Sequence, residues 1–318
     1  MPGQIAEQIE GAADADLPLS RPSVTRIRLG TRGSPLALVQ AGMVRDSLVA
    51  AHGVAVDIVV IKTTGDAVQD RPLAEIGGKA LWTKELDRAL LSNEIDCAVH
   101  SMKDVETIRP PAIAIRAMLP RADVRDRLIG AASIADLPQG ATVGTSSPRR
   151  RAQLLRLRPD LKIVSFRGNV DTRLAKLAAH EADATLLAAA GLDRLGRAGI
   201  GVAIDTGVML PAPAQGAVGI EARADDDAMR ALLAPLDHAP THRCVLAERA
   251  LLAALHADCH SPVAALARDA GPIRAELFAE DGSAHVAGTG DDPVAVAHDL
   301  LDRAPDSIRA LFAAPHAA

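Results

Sequence analysis

Aromatic side chains are almost missing from this chain, with one Trp, three Phe and no Tyr in 318 residues. Proteins that hold single-stranded nucleic acid stack its bases on rows of such rings, so their scarcity counts against that class of function. A formal net charge of −5 removes general attraction to nucleic acid or to anionic membranes. No apolar run approaches the ~20 residues of a membrane span. Residues 1–24 also lack a basic start followed by an apolar stretch, so they read as a flexible tail on a cytoplasmic protein. Cysteine is scarce too: Cys97, Cys244 and Cys259 are odd in number and have no metal-ligand spacing, which fits a reducing compartment and predicts no metal site. No Gly-Lys-Ser/Thr closes a glycine-rich loop, so the nucleotide-binding phosphate loop is absent as well.

What the chain does have is apolar content, 48%, enough for two or three domain cores. Short apolar runs alternate with longer amphipathic ones: RIRLG before SPLALVQAGMVRDSLVAAHG, VDIVVIKT before KALWTKELDRALLSNE, then IDCAVHS, ATVGTSS before PRRRAQLLRL, LKIVSF before NVDTRLAKLAAH, and ATLLAAA. This alternation predicts an α/β fold with parallel sheets covered on both faces, at least through residue 220. From near His238 the texture changes. The stretch THRCVLAERALLAALHADC reads as a helix, VAALAR, IRAELFAE and AHVAGTG as strands, and residues 293–303 as a last helix. These form a small α+β domain with an antiparallel sheet.

In open parallel sheets ligands bind beyond the carboxyl ends of the strands, where helix N-termini face them. Four such turns carry cations and hydroxyls: Thr31-Arg32-Gly33-Ser34, Ser101-Met102-Lys103-Asp104, Thr145-Ser146-Ser147, and Arg167-Gly168-Asn169. At the third, Ser147 is a good N-cap and Pro148 suits the first helical position, so Arg149, Arg150 and Arg151 fall in the first turn. Cations at a helix N-terminus are locally unfavourable by a few tenths of a kcal/mol each unless an anion arrives. Residues 144–173 hold eight cations against two aspartates, a net +6, which leaves −11 on the rest of the chain. A basic site in an acidic protein suits a small polyanion, and guanidinium forks without a phosphate loop favour carboxylates. Asp104, beside Lys103 at a strand end, is placed to steady a developing cation. Cys97 in a strand and Cys244 on a helix read as inert small hydrophobes, whereas Cys259 sits in a polar turn with His256, Asp258 and His260 and is a candidate nucleophile or attachment point.

Eight stretches in order, TRGSPLALVQA, IGGKALWTKEL, AVHSMKDV, VGTSSPRRRAQL, FRGNVDTRLAKL, AAAGLDRLG, LPAPAQGAVGIE and AERALLAALHADCHSPV, closely resemble the hydroxymethylbilane synthases, also called porphobilinogen deaminases. The resemblance implies two domains like a type II periplasmic binding protein, residues 25–120 with 216–236 and residues 121–215, and a third domain over 237–318 after the tail 1–24. It implies a monomeric, cytoplasmic transferase of the tetrapyrrole and haem pathway, with no obligate protein partner, that joins four porphobilinogen molecules head to tail, releasing ammonia, and then frees the linear hydroxymethylbilane by hydrolysis. Its dipyrromethane cofactor is the covalent primer, attached by a thioether through Cys259. By motif position Ser101, Lys103, Thr145, Ser147, Arg149, Arg150 and Arg194 hold cofactor carboxylates. Arg32, Ser34, Arg167, Arg173 and Trp82 contact the incoming ring and growing chain, and Asp104 stabilises the azafulvenium cation left by ammonia. Three departures from the family pattern stand out: Ala257-Asp258 before Cys259, Glu75 for a frequent lysine, and Ala214 for a frequent glycine. Two rivals are a non-catalytic carboxylate receptor, which needs neither Cys259, Asp104 nor the third domain, and a phosphate or nucleic-acid binder using the +6 stretch.

Overall fold

The computed structural model describes residues 26–62 and 83–312. The first sheet starts with β1 (Arg26–Arg32), whose Ile27 and Leu29 are fully buried against helix α1 (Pro35–His52). That helix begins where expected: Ser34 Oγ accepts from Ala37 N, Pro35 takes the first position, and Gly53 ends it in the left-handed region at φ +67°. Strands β2 (Ala55–Ile61) and β3 (Cys97–Ser101) flank β1 in parallel. Beyond β3 lie β10 (Val218–Arg223), antiparallel to it, and then β4 (Ile113–Met118). Helix α2 (Lys84–Leu91) packs Leu86 and Leu90 into the same unit.

The second sheet repeats the plan. Strand β6 (Thr142–Gly144) pairs in parallel with β7 (Lys162–Val164) and β8 (Ala184–Ala188), and β5 (Asp126–Ile129) runs antiparallel between β8 and β9 (Val202–Ala203). The orders β2-β1-β3-β10-β4 and β7-β6-β8-β5-β9 therefore match strand for strand, as expected of two type II periplasmic-binding-protein-like domains. Both sheets are mixed, which corrects the expectation of parallel ones. The strands the sequence pattern left unread, β4, β5, β9 and β10, lie at the far side of each sheet, next to the segments that cross between sheets. Which neighbours they pair with depends on where those long connections return, and no local periodicity records that.

The two crossing segments touch. Ala122 N donates to Gly216 O at 3.3 Å, and a Cβ at Gly216 would stand 2.7 Å from Ala122 O, so only glycine, here at φ +85°, fits. Ala214 is also left-handed, at φ +60°, and is buried. For alanine that backbone costs about 1–2 kcal/mol, and burial of its methyl returns up to about 0.8 kcal/mol.

The third unit forms as read from the sequence: helix α7 (Ala239–Ala254), an antiparallel sheet of β11 (Val263–Leu266), β12 (Ile273–Phe278) and β13 (His285–Gly290), and helix α8 (Pro293–Arg303). Its core joins Leu251, Leu255, Leu277 and Leu300. It docks on both other units. The Asp281-Gly282 turn presses on helix α3 (Pro148–Leu157), and Phe278 packs with Ala152 of that helix. Fully buried Glu248 on α7 accepts from Arg121 Nη1 at 2.8 Å and Nη2 at 2.9 Å, from Ala267 N at 2.8 Å, and from Ala214 N in the crossing segment.

Candidate active site

A cavity of about 790 Å³ opens between the two large sheets, at the carboxyl ends of β1, β3 and β8, with one wall closed by the turn that carries Cys259. All four turns singled out from the sequence meet here, each through the residues that start the following helix. Among the described residues nine Lys or Arg side chains line it against three Asp, so it is a cationic pocket in an acidic protein.

At α3 the local conflict is resolved in part from inside the protein. Ser147 Oγ caps the helix by accepting from Arg150 N, and the buried carboxylate of Asp126 takes both guanidinium groups. Arg149 Nη2 donates to Asp126 Oδ2 at 2.8 Å and Nη1 to Leu210 O at 2.8 Å. Arg150 Nη2 donates to Oδ1 at 2.7 Å and Nη1 to Leu186 O at 3.0 Å. Burial opposes ionisation of Asp126, yet the two arginines hold its carboxyl well below the usual range. One carboxylate serves two cations, and Nε–H of each arginine is buried with no partner among the described residues. Arg194 is in the same state: its Nη2 donates to Gly216 O at 2.7 Å while its buried Nε has none. So is Nη1 of Arg167. A buried donor left unpaired costs about 1–3 kcal/mol. The guanidinium groups of Arg149, Arg150, Arg167 and Arg194 all border one cavity, which makes it a place for anionic groups.

On the opposite wall β3 ends in a 3-10 turn, Met102–Asp104. Burial pulls the Lys103 ammonium down to about 8, with Arg150 and Arg149 acting the same way and Asp104 opposing. Burial likewise lowers Arg173 to about 10, with Arg150 and Arg167 acting the same way; its Nε donates to Gly168 O at 3.0 Å. Asp104 thus lies in electrostatic reach of Lys103 and Arg173, and also of Cys259. The Cys259 thiol is pushed up to about 12, by the protein packed round it and by the carboxylates of Asp258, Asp104 and Glu106. The residue itself is exposed to the cleft, so water tempers the first of these causes. Asp258 is fixed in its turn, accepting from His260 N at 2.8 Å and donating its own N–H to Ser261 Oγ at 3.1 Å.

Cys259, Asp104, Lys103, Ser101, Ser147, Arg149, Arg150, Arg194, Arg32, Ser34, Arg167 and Arg173 all line the cavity. Thr145 does not; it is buried behind the wall, where Oγ1 accepts from Ser147 N at 3.2 Å. The Ser101 hydroxyl is engaged with the Gln40 side-chain amide, at 2.8 and 3.1 Å. Trp82 and Glu75 lie outside the described residues. Cys97 and Cys244 are buried, as read, and burial pushes the Cys97 thiol up to about 12. Sequence reasoning missed Asp126, Arg249 and Lys62. Asp126 sits in VRDRL, which looks like a surface strand edge, and only the fold carries it beneath α3.

A model of a family described as "Porphobilinogen deaminase, dipyromethane cofactor binding domain" matches residues 27–231, and one described as "Porphobilinogen deaminase, C-terminal domain" matches residues 242–303. The chain belongs to the porphobilinogen deaminase family. The porphobilinogen deaminase of Sphingopyxis alaskensis is 60% identical over 304 residues, which span 90% of this chain and 96% of the relative. That of Paracoccus denitrificans is 53% identical over 296 residues, spanning 88% and 95%. Among solved structures, an ancestral cationic amino acid solute-binding protein is 15% identical with a TM-score of 0.43, covering 67% of this chain and 88% of its own. The activity is therefore that of a transferase, porphobilinogen deaminase or hydroxymethylbilane synthase, with a dipyrromethane cofactor, and porphobilinogen is the family substrate.

Proposed function

We propose that this cavity is the site of chain assembly and that its residues divide the work by wall. Cys259 holds the dipyrromethane through a thioether; the carboxylates of that group are held by the guanidinium groups of Arg149, Arg150 and Arg194, with Lys103, Ser101 and Ser147 beside them and Thr145 supporting from behind. When bound, the dipyrromethane supplies the pyrrole carbon to which the first substrate unit is joined. Arg167 and Arg173 on one wall and Arg32 and Ser34 on the other hold the acetate and propionate groups of porphobilinogen and of the growing chain. Each added unit brings about two negative charges, which a confined cationic pocket offsets. Trp82, whose surroundings are outside the described residues, is carried as a further substrate contact.

Asp104 does the chemistry. Loss of ammonia breaks the carbon–nitrogen bond of the aminomethyl group and leaves a cation on the substrate, which the Asp104 carboxylate stabilises while the new carbon–carbon bond forms. The same oxygen then receives the proton lost from the ring carbon. In this reading the enzyme is a monomer of the cytoplasm, where its three free cysteines stay reduced. The observation that carries this reading is that Cys259, Asp104 and a cluster of arginines share one cavity.

Intact mass tests it. Protein made in a porphobilinogen-producing host carries a dipyrromethane adduct, and Cys259→Ser lacks it; an unmodified parent sinks the attachment. Asp104→Ala folds, keeps the adduct and turns over about 10²-fold or more slowly, whereas near-normal turnover shows the carboxylate is not the cation's partner.

A further inference from the structure

Cys259 and Asp104 belong to different units, so their separation is set by how the third unit docks on the first. Two contacts fix that docking beside the cavity. Thr107, three residues past Asp104, donates from Oγ1 to Ala257 O at 2.7 Å, two residues before Cys259. From α7, Arg249 reaches the same stretch: Nη1 donates to Val105 O at 3.3 Å, and Nη2 to Glu106 O at 2.6 Å and Thr107 O at 3.0 Å. One guanidinium of the third unit thus takes three successive carbonyls that leave the turn bearing Asp104.

This is an unusual use of a buried cation. Arg249 is only 7% exposed, and burial lowers its pKa. Its hydrogen bonds nevertheless go to backbone carbonyls, where the neighbouring Arg109 is matched to Glu221 and Asp87. A buried guanidinium without a bonded carboxylate is costly, so its gain must lie in what it holds still. Both Arg249 and Thr107 line the same cavity as Cys259 and Asp104.

We propose that Arg249 and Thr107 are positioning residues, a clamp that sets the approach of the Cys259 turn to Asp104 and so delivers the end of the tethered chain to the reacting carbon. The proposal rests on the roles given above to Cys259 and Asp104. The tether is fixed at one sulfur and the chemistry at one carboxylate, so a shift of about 1 Å between them can cost up to about 10²-fold in rate.

Thr107→Val keeps the shape and removes only the donor; Thr107→Ser restores it. In the loaded enzyme we expect Thr107→Val to retain the adduct mass, to lower kcat by about fivefold or more and to leave KM for porphobilinogen within about twofold, with Thr107→Ser returning kcat to near the parent. Arg249→Lys keeps the charge but cannot span three carbonyls, and should lower kcat further. A merely structural hydrogen bond would lower the melting temperature of Thr107→Val and leave kcat of the folded enzyme unchanged. A normal kcat in Thr107→Val, or no recovery in Thr107→Ser, overturns the clamp while the adduct on Cys259 still stands. An adduct missing from the parent Cys259 overturns the underlying site reading and the clamp with it. Should Arg249→Lys fail to fold, the Thr107 pair still decides.

Discussion

Lys103 shows how much one residue's surroundings decide. Its folded pKa of about 8 lies below the unfolded value, near 10.4, because burial disfavours the ammonium. Between those two values the unfolded chain binds more protons, so this side chain's contribution to stability rises with pH from about 8 to about 10.4. Ligand binding runs the other way, since a carboxylate needs the charge. In Cys259→Ser protein, which stays free of adduct, we expect porphobilinogen affinity measured by calorimetry to drop by about fivefold or more between pH 7 and pH 9, and Lys103→Met to abolish that step. A flat profile in the Lys103 protein would show the ammonium is not a ligand.

Among elements, the helix that bears the arginines is held from both ends. Its N-terminus is capped by Ser147 and neutralised by Asp126, and its outer side is pressed by the β12–β13 turn. At Gly282, φ +72°, a Cβ would stand 2.5 Å from Arg156 N and 2.7 Å from Ala152 O, backbone atoms that cannot step aside. Gly140 has nearly the same φ, +70°, with nothing within 4 Å. Gly140→Ala should therefore cost about 1 kcal/mol, the conformational part alone, and Gly282→Ala more than about 2 kcal/mol because overpacking is added. Chemical denaturation of the two variants checks this; equal losses would mean the hairpin yields without disturbing α3.

For the whole molecule, Glu248 is the junction. It joins the third unit to Arg121 of one crossing segment and to Ala214 of the other, and it is fully buried. Removing the charge from one partner of such a pair strands the other, so Glu248→Gln should cost about 3–5 kcal/mol in urea unfolding of the loaded enzyme. A loss under about 1 kcal/mol would place the strength of the junction elsewhere.

The sequence by itself determined the strands and helices whose apolar period is local, the capped helix starts at Ser34 and Ser147, the antiparallel third unit, and the cations and hydroxyls that follow the strand ends. Those features depend on neighbours a few residues apart, which the chain records directly. Only the tertiary structure decided that β10 and β5 enter their sheets antiparallel, that Asp126 lies under both arginines, that Thr145 stands behind the wall, and that Arg249 grips the turn after Asp104. Each of these joins residues tens of positions apart or buries a polar group among others, and their meeting is set by where the long crossovers return.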